Sequence, residues 1–241
     1  MEIYGLMKTT LLDYPGLVAS TIFTGGCNFN CPFCHNMNLV KNYHNEIPIS
    51  QEEIFNHLSS RSGLIDGVCI TGGEPTLQYD LIDFIKKVKS LGLQIKLDSN
   101  GSKTSVLEYL ISENLVDYIA IDIKSSFNKY GDICGFTPEY LQSDAYTNIL
   151  TNIKNTVNLL IQQQSIDYEF RTTIIKEFHN EEVIEDIGKS IVGARKIALQ
   201  SFVDSTFVPN HSLHPYEKNK LQDFALQLEK YVKEVEIRGI N

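Results

Sequence analysis

Three cysteines, Cys27, Cys31 and Cys34, stand within eight residues in the stretch GCNFNCPFCHN, spaced Cys-x3-Cys-x2-Cys. Thiolates placed this close are metal or cluster ligands, since soft sulfur ligands select zinc, copper(I) and iron–sulfur centres. A structural zinc site takes four ligands, usually from two Cys-x2-Cys pairs, and the chain supplies no second pair. The other two cysteines are isolated: Cys69 falls in an apolar run expected to be a buried strand, and Cys134 in a stretch of weak periodicity. His35 adjoins Cys34, an awkward arrangement for two ligands of one tetrahedral ion. Three thiolates suit an iron–sulfur cluster with one iron left open, and an open iron offers a place for a small molecule, as an open zinc position does. Zinc is the plainer alternative.

The elements that must hold these residues follow from the hydrophobic pattern. Short β-branched apolar runs alternate with longer helical patterns, the signature of parallel βα units. Strands are predicted over 18–24, 67–71, 94–98, 118–123, 168–175 and 196–202, and helices over 50–60, 80–91, 103–113, 147–163, 181–192 and 216–232. Ser50 and Glu53 match a capping box, and Gly92 stands where a helix C-cap glycine belongs. Residues 125–144, with Gly131, Gly135 and Pro138, are expected to form a long loop with one turn of helix. Nothing reads as a linker, so one α/β domain is expected over 1–241, with an N-terminal arm (1–16) and a core (17–241).

The unusual residues follow the strands. Gly25-Gly26-Cys27 follows the first, Gly72-Gly73-Glu74-Pro75 the second and Ser99-Asn100-Gly101 the third, while Asp122 and Lys124 close the fourth. Parallel sheets and barrels bind ligands at the C-terminal ends of their strands, so these sets should converge on one face. Plainer readings stand beside this one: Gly72-Gly73 alone is a turn with Pro75 opening a helix, and Asp122 and Lys124, two apart on a strand, face one side and suit a structural ion pair. Arg171 and Gln200, on the fifth and sixth strands, either bind a cofactor or satisfy the rim. His179, His211 and His214 are expected at the surface or in loops, since nothing nearby completes a catalytic pair.

Composition narrows the functional classes. A chain of 241 residues can bury roughly 70–75% of its unfolded surface. No apolar run approaches the ~20 residues of a membrane span, and the N-terminus lacks a secretory pattern, so a cytoplasmic protein without membrane contact is expected. A net charge of −9 without a Lys/Arg block argues against nucleic acid as a partner. Five cysteines, three of them crowded, argue against a disulfide framework.

Cys27, Cys31, Phe33 and Cys34 form Cys-x3-Cys-x-aromatic-Cys, and a Gly-Gly-Glu-Pro stretch follows the next strand. Together these resemble the signature of the radical S-adenosylmethionine (SAM) enzymes. The resemblance implies a partial TIM barrel, (β/α)6, and a [4Fe-4S] cluster held by Cys27, Cys31 and Cys34, with SAM's amino and carboxylate groups on the fourth iron. It implies further that Gly72, Gly73 and Glu74 meet the methionine amino group, that Phe33 lies near the adenine, and that Asp98, Ser99, Asp122 and Lys124 contact SAM from the strand ends. Arg171 joins this cofactor-binding set, and His35 with Asn36 completes the Cys-His-Asn that many activases share.

The likeness covers nearly the whole chain. TTLLDYPGLVASTIFTGGCNFNCPFCHN, GVCITGGEPTLQ, LDSNG, VDYIAIDIK, YEFRTT and VEIRGI resemble the short activating proteins of anaerobic ribonucleoside-triphosphate reductase. That implies an electron from flavodoxin or ferredoxin, reductive cleavage of SAM to methionine and a 5′-deoxyadenosyl radical, and hydrogen abstraction from a backbone glycine of a glycyl-radical enzyme. The chain departs from larger activases in lacking a cysteine-rich insert. Two alternatives remain open: a small-molecule radical SAM enzyme such as 7-carboxy-7-deazaguanine synthase, and a non-enzymatic metal-binding or electron-transfer module.

Overall fold

All six β-branched runs form strands, and the chain adds one more at each end. The computed structural model describes residues 1–240. In chain order the elements are β1 (Ile3–Thr10), β2 (Ala19–Thr24), α1 (Met37–Lys41), α2 (Gln51–Ser60), β3 (Gly67–Gly72), α3 (Leu81–Ser90), β4 (Gln94–Ser99), α4 (Thr104–Ser112), β5 (Tyr118–Asp122), α5 (Tyr130–Ile133), α6 (Pro138–Leu141), α7 (Asp144–Gln162), β6 (Asp167–Ile174), α8 (Glu181–Ser190), β7 (Lys196–Ser201), α9 (Lys218–Leu228) and β8 (Glu234–Arg238). One sheet runs β1 to β8 in that order. β1 is antiparallel to β2, and every later pair is parallel.

The six βα units from β2 to β7 make the expected (β/α)6 core. β8 does not pair with β1, so the barrel is partial. β1 lies in the stretch expected as an arm, and β8 in a tail for which no strand was predicted. Both are edge strands with one side unpaired, and β8 is partly exposed along its length, which blurs the apolar signal a central strand gives. Residues 125–144 hold two short helices, α5 and α6, where one turn was expected.

The two-residue period of the strands sorts side chains into an apolar outer layer and a polar interior. Val68 and Ile70 of β3, Ile95 and Leu97 of β4, Ile119 and Ile121 of β5 and Ile197 and Leu199 of β7 belong to the main core. Helix stripes such as Leu81, Phe84, Ile85 and Val88 of α3 join the same core. The alternate positions carry Lys96 and Asp98, Asp122, Glu169 and Arg171, Lys196, and Glu236 and Arg238. These meet across intervening strands: Arg171 of β6 reaches Asp98 of β4 at 2.8 Å, and Arg238 of β8 reaches Glu169 of β6 at 2.7 Å. Contacts that skip a strand require a sheet curved around these residues. Ser50 caps α2 by accepting from the Glu53 N–H at 3.1 Å, and Gly92 takes φ +79 after α3, both as predicted.

His211 and His214 are exposed as expected. His179 corrects the reading: it is in a loop but only 1% exposed. Its Nδ1 accepts from the Ile175 N–H at 3.1 Å and its Nε2 donates to the Lys124 carbonyl at 3.0 Å, so the ring locks the end of β5 to the end of β6. These are backbone partners, which a search for catalytic pairs does not find. Burial, outweighing these contacts, holds the ring's pKa down at about 4. Between the unfolded value near 6.5 and about 4 the unfolded chain binds the extra proton, so His179's contribution is complete above pH 6.5 and is lost as pH falls toward 4. The stability gap between the native chain and His179→Asn, measured by denaturant unfolding, should therefore shrink across this window by about 3 kcal/mol.

Candidate active site

The loop after β2 carries the cysteines and is pressed against the loop after β3 backbone to backbone. The Gly73 N–H donates to Thr24 O and the Glu74 N–H to Gly26 O, both at 2.8 Å. A Cβ on Gly73 would stand 2.0 Å from Gly26 O, and one on Gly72, which has φ +109, would stand 2.5 Å from Thr24 N. The Gly-Gly pair is thus required for loop-on-loop packing. Asn36 reinforces it by donating to Gly72 O at 3.0 Å, and Gln78 by donating to Gly25 O at 2.8 Å.

Glu74 is 1% exposed and saturated by the chain's own donors. Its Oε1 accepts from Thr76 and from Ser99 Oγ at 2.8 Å, and its Oε2 from the Asn100 N–H at 2.6 Å. Burial raises its carboxyl pKa against the lowering effect of these donors. The resemblance casts Glu74 as a partner for an ammonium; its contacts here tie the loops after β3 and β4 together. Asn100 Nδ2 in turn donates to Asn28 Oδ1 at 2.8 Å, and Asn28 Nδ2 to Ser102 Oγ at 2.9 Å, which anchors the cysteine loop on the β4 side.

A cavity of about 250 Å³ opens where these loops meet the strand ends. Cys27, Cys31 and Cys34 line it together with Phe33, His35, Asn36, Gly72, Gly73, Glu74, Asp98, Ser99, Asn100, Asp122, Lys124, Arg171 and Gln200, so these residues singled out in the sequence are brought to one place. Phe29, Met37, Val40, Thr71 and Thr173 also line it without having been singled out. The strand-end position of Thr71 and Thr173 was the available signal for these two; the apolar residues carried none. His35 lies at the edge, its Nε2 2.7 Å from the Val203 carbonyl.

Charge in the cavity floor alternates. Lys96 pairs with Asp98, Arg171 bridges Asp98 at 2.8 Å and Asp122 at 2.9 Å, and Lys124 meets Asp122 at 3.2 Å. Asp122 and Lys124 thus form the ion pair of the plainer reading while also facing the cavity. Burial pushes the Asp122 carboxyl up, but Arg171 and Lys124 outweigh it and hold it at about 2. The Lys124 ammonium stands at the thiol end, 5.7 Å from the Phe33 ring centroid.

The thiols fit a soft metal centre. Burial, then the Glu74 charge, pushes Cys27 up to about 12, and burial likewise raises Cys34. Such thiols ionise when a bound metal supplies the positive charge. Cys31 goes the other way, lowered first by a hydrogen bond from Cys134. Among the described residues no three Cys, His, Asp or Glu side chains converge closely enough to hold a single ion. No helix is long and apolar enough to cross a membrane.

The profile of the radical SAM superfamily matches residues 21–189, and the chain belongs to that superfamily. It is 33% identical, over 98% of its own length and 95% of the relative's, to a Methanocaldococcus jannaschii protein provisionally named a glycyl-radical enzyme activating enzyme. A Sulfurisphaera tokodaii protein provisionally named GTP 3′,8-cyclase is 26% identical over 64% of this chain and 47% of its own. The fold is similar to that of Streptococcus suis SuiB bound to S-adenosylmethionine, with a TM-score of 0.63 at 13% identity, covering 90% of this chain and 49% of SuiB.

Removing the bridging guanidinium leaves two neighbouring carboxylates inside the barrel. Arg171→Met should destabilise the chain by roughly 3–5 kcal/mol at pH 7 in a denaturant titration. Asp98 keeps Lys96 and Asp122 keeps Lys124, but the bridge between the two carboxyls is lost, so the loss should be smaller at pH 4, where carboxyls no longer held by Arg171 take up protons; an equal loss at both pH values would show that Arg171 acts through packing alone.

Proposed function

We propose that the chain is a radical SAM activating enzyme that generates a glycyl radical on a partner enzyme. The observation that carries this reading is that three closely spaced cysteine thiols share one cavity wall with the strand-end groups Asp98, Asp122, Lys124 and Arg171. Cys27, Cys31 and Cys34 would hold a [4Fe-4S] cluster. The ammonium of Lys124 and the guanidinium of Arg171 would offer donors to the carboxylate of SAM, and Phe33 an aromatic face beside it. Asp98, Asp122 and Ser99 present acceptors and a hydroxyl to its other polar groups. When bound, the cluster and SAM supply one-electron reductive cleavage and a hydrogen-abstracting radical.

The chain's own work is positional. Glu74 and the Asn28–Asn100–Ser102 chain fix the cysteine loop against the strand ends, and Gly72 and Gly73 let that loop close on its neighbour. Burial of the thiols limits water at the reactive centre. The hydrogen donor would be a group of a partner protein reaching the cavity from outside. The relative's provisional name supports a glycyl-radical enzyme as that donor, and the sequence likeness supports anaerobic ribonucleoside-triphosphate reductase in particular, with flavodoxin or ferredoxin as the electron source. Similarity to a protein named GTP 3′,8-cyclase supports a second reading, a nucleotide-modifying enzyme.

The test is EPR of the anaerobically reconstituted, reduced chain mixed with SAM and the candidate reductase. A glycyl-radical doublet is expected, and Cys31→Ala should abolish it together with cluster absorbance. Methionine release without a doublet, joined by consumption of added GTP, would overturn the activase reading in favour of the nucleotide one.

A further inference from the structure

Tyr130 opens α5 and is completely buried behind the residues that line the cavity. A buried tyrosine needs a partner for its hydroxyl, and this one has two. The hydroxyl donates to the Asp122 carbonyl at 3.0 Å and accepts from the Lys124 N–H at 3.4 Å. Between them the Ile123 N–H donates to Arg171 O at 2.8 Å and the Ile123 carbonyl accepts from Thr172 Oγ1 at 2.7 Å, while the Lys124 carbonyl accepts from His179 Nε2 at 3.0 Å. Every backbone polar group from the Asp122 carbonyl to the Lys124 carbonyl is thus held. The ring faces the other way. It meets Phe29 of the cysteine loop edge-on at 6.5 Å and is stacked by Phe127 at 5.9 Å. Phe29 in turn donates its N–H to Cys27 Sγ at 3.4 Å, and the Asn30 N–H donates to Cys134 O, at the end of α5, at 3.0 Å.

We propose that Tyr130 is a positioning residue with two separable parts: its hydroxyl sets the place of the Lys124 ammonium in the cavity, and its ring sets the cysteine loop. The hydroxyl matters because β5 ends at Asp122, so Lys124 lies two residues past the last rung of the sheet and its main chain is fixed by side chains. A lysine carries its charge on a flexible four-carbon stem, and the ammonium is held in place only if the Cα is. Here the stem is tied at both ends, by Tyr130 and His179 at the backbone and by Asp122 at 3.2 Å at the ammonium. Phenylalanine in place of Tyr130 would fill the same space and leave the Lys124 N–H and the Asp122 carbonyl without this partner; leucine would lose the ring contact with Phe29 as well. The proposal rests on the reading that Lys124 meets the carboxylate of SAM and that the three cysteines hold the cluster.

The experiment compares the full, anaerobically reconstituted native chain with Tyr130→Phe and Tyr130→Leu, measuring iron content and, by calorimetric titration of the unreduced protein, the affinity for SAM. Tyr130→Phe should hold the native complement of iron and bind SAM roughly three- to tenfold more weakly, the worth of one hydrogen bond. Tyr130→Leu should lose iron as well. The link to Lys124 is read from a double-mutant cycle: in Lys124→Met, which already lacks the ammonium, Tyr130→Phe should bring no further loss of SAM affinity, an outcome that general loosening of the fold would not give. Native SAM affinity in Tyr130→Phe, or the same loss with and without Lys124, would overturn the role of the hydroxyl. A full iron complement in Tyr130→Leu would overturn the role of the ring. A native chain that holds iron and binds no SAM would overturn the underlying reading and this proposal together, whereas a native chain that binds SAM with unaffected variants would overturn this proposal alone.

Discussion

Glu74 accepts from the Ser99 hydroxyl and the Asn100 amide of the β4 loop and from Thr76 of its own loop, while its backbone N–H holds Gly26 beside the cysteines. Three loops from three successive strands therefore converge on one residue, two of them on its buried carboxylate and the third on its backbone N–H. An unpaired carboxylate at this depth would be costly, and every donor that offsets the cost belongs to a loop that must be in place for the cavity to exist. The arrangement is mutual: the loops satisfy the acid, and the acid fixes their spacing. A site assembled this way has its geometry before any ligand enters, which lowers the ordering cost of binding.

Below that node the barrel interior is built from charge. The row Lys96, Asp98, Arg171, Asp122 and Lys124 crosses β4, β5 and β6, and a second group of Glu169, Arg238, Glu236 and Lys196 continues it toward the open edge. Buried ion pairs add little net stability over an apolar filling, but half of one is strongly destabilising, so such rows are intolerant of single losses. An apolar interior would pack as well and would offer no field to an ionic cofactor. The alternating charge beneath the thiols is the electrostatic counterpart of the geometric node above it.

Much of this was legible because period-two alternation and strand-end position are local signals. The six central strands, the capping serine of α2 and the convergence of Gly72-Gly73-Glu74, Asp98, Asp122 and Lys124 on the cysteines could be read from residue order alone. What escaped depends on partners distant in sequence. Lys96 reads as a stray charge in an apolar run until its contact with Asp98 is seen, and Asn28 and Asn100 read as turn residues until they are found bonded to each other. His179 is in a loop as read, but its burial was not legible because its partners are main-chain groups of Ile175 and Lys124, which leave no trace in side-chain chemistry. The edge strands β1 and β8 were missed because exposure on one side dilutes the pattern that identifies their neighbours.

The strand order in space repeats the strand order in sequence. During synthesis each new strand can therefore pair with the one just completed, and no segment must wait for a distant partner before it adds to the sheet. The wall residues of the cavity run from Cys27 to Gln200 of β7, so every one of them has been made before α9 and β8 emerge, and these last elements add to a sheet whose pocket wall is already complete in sequence.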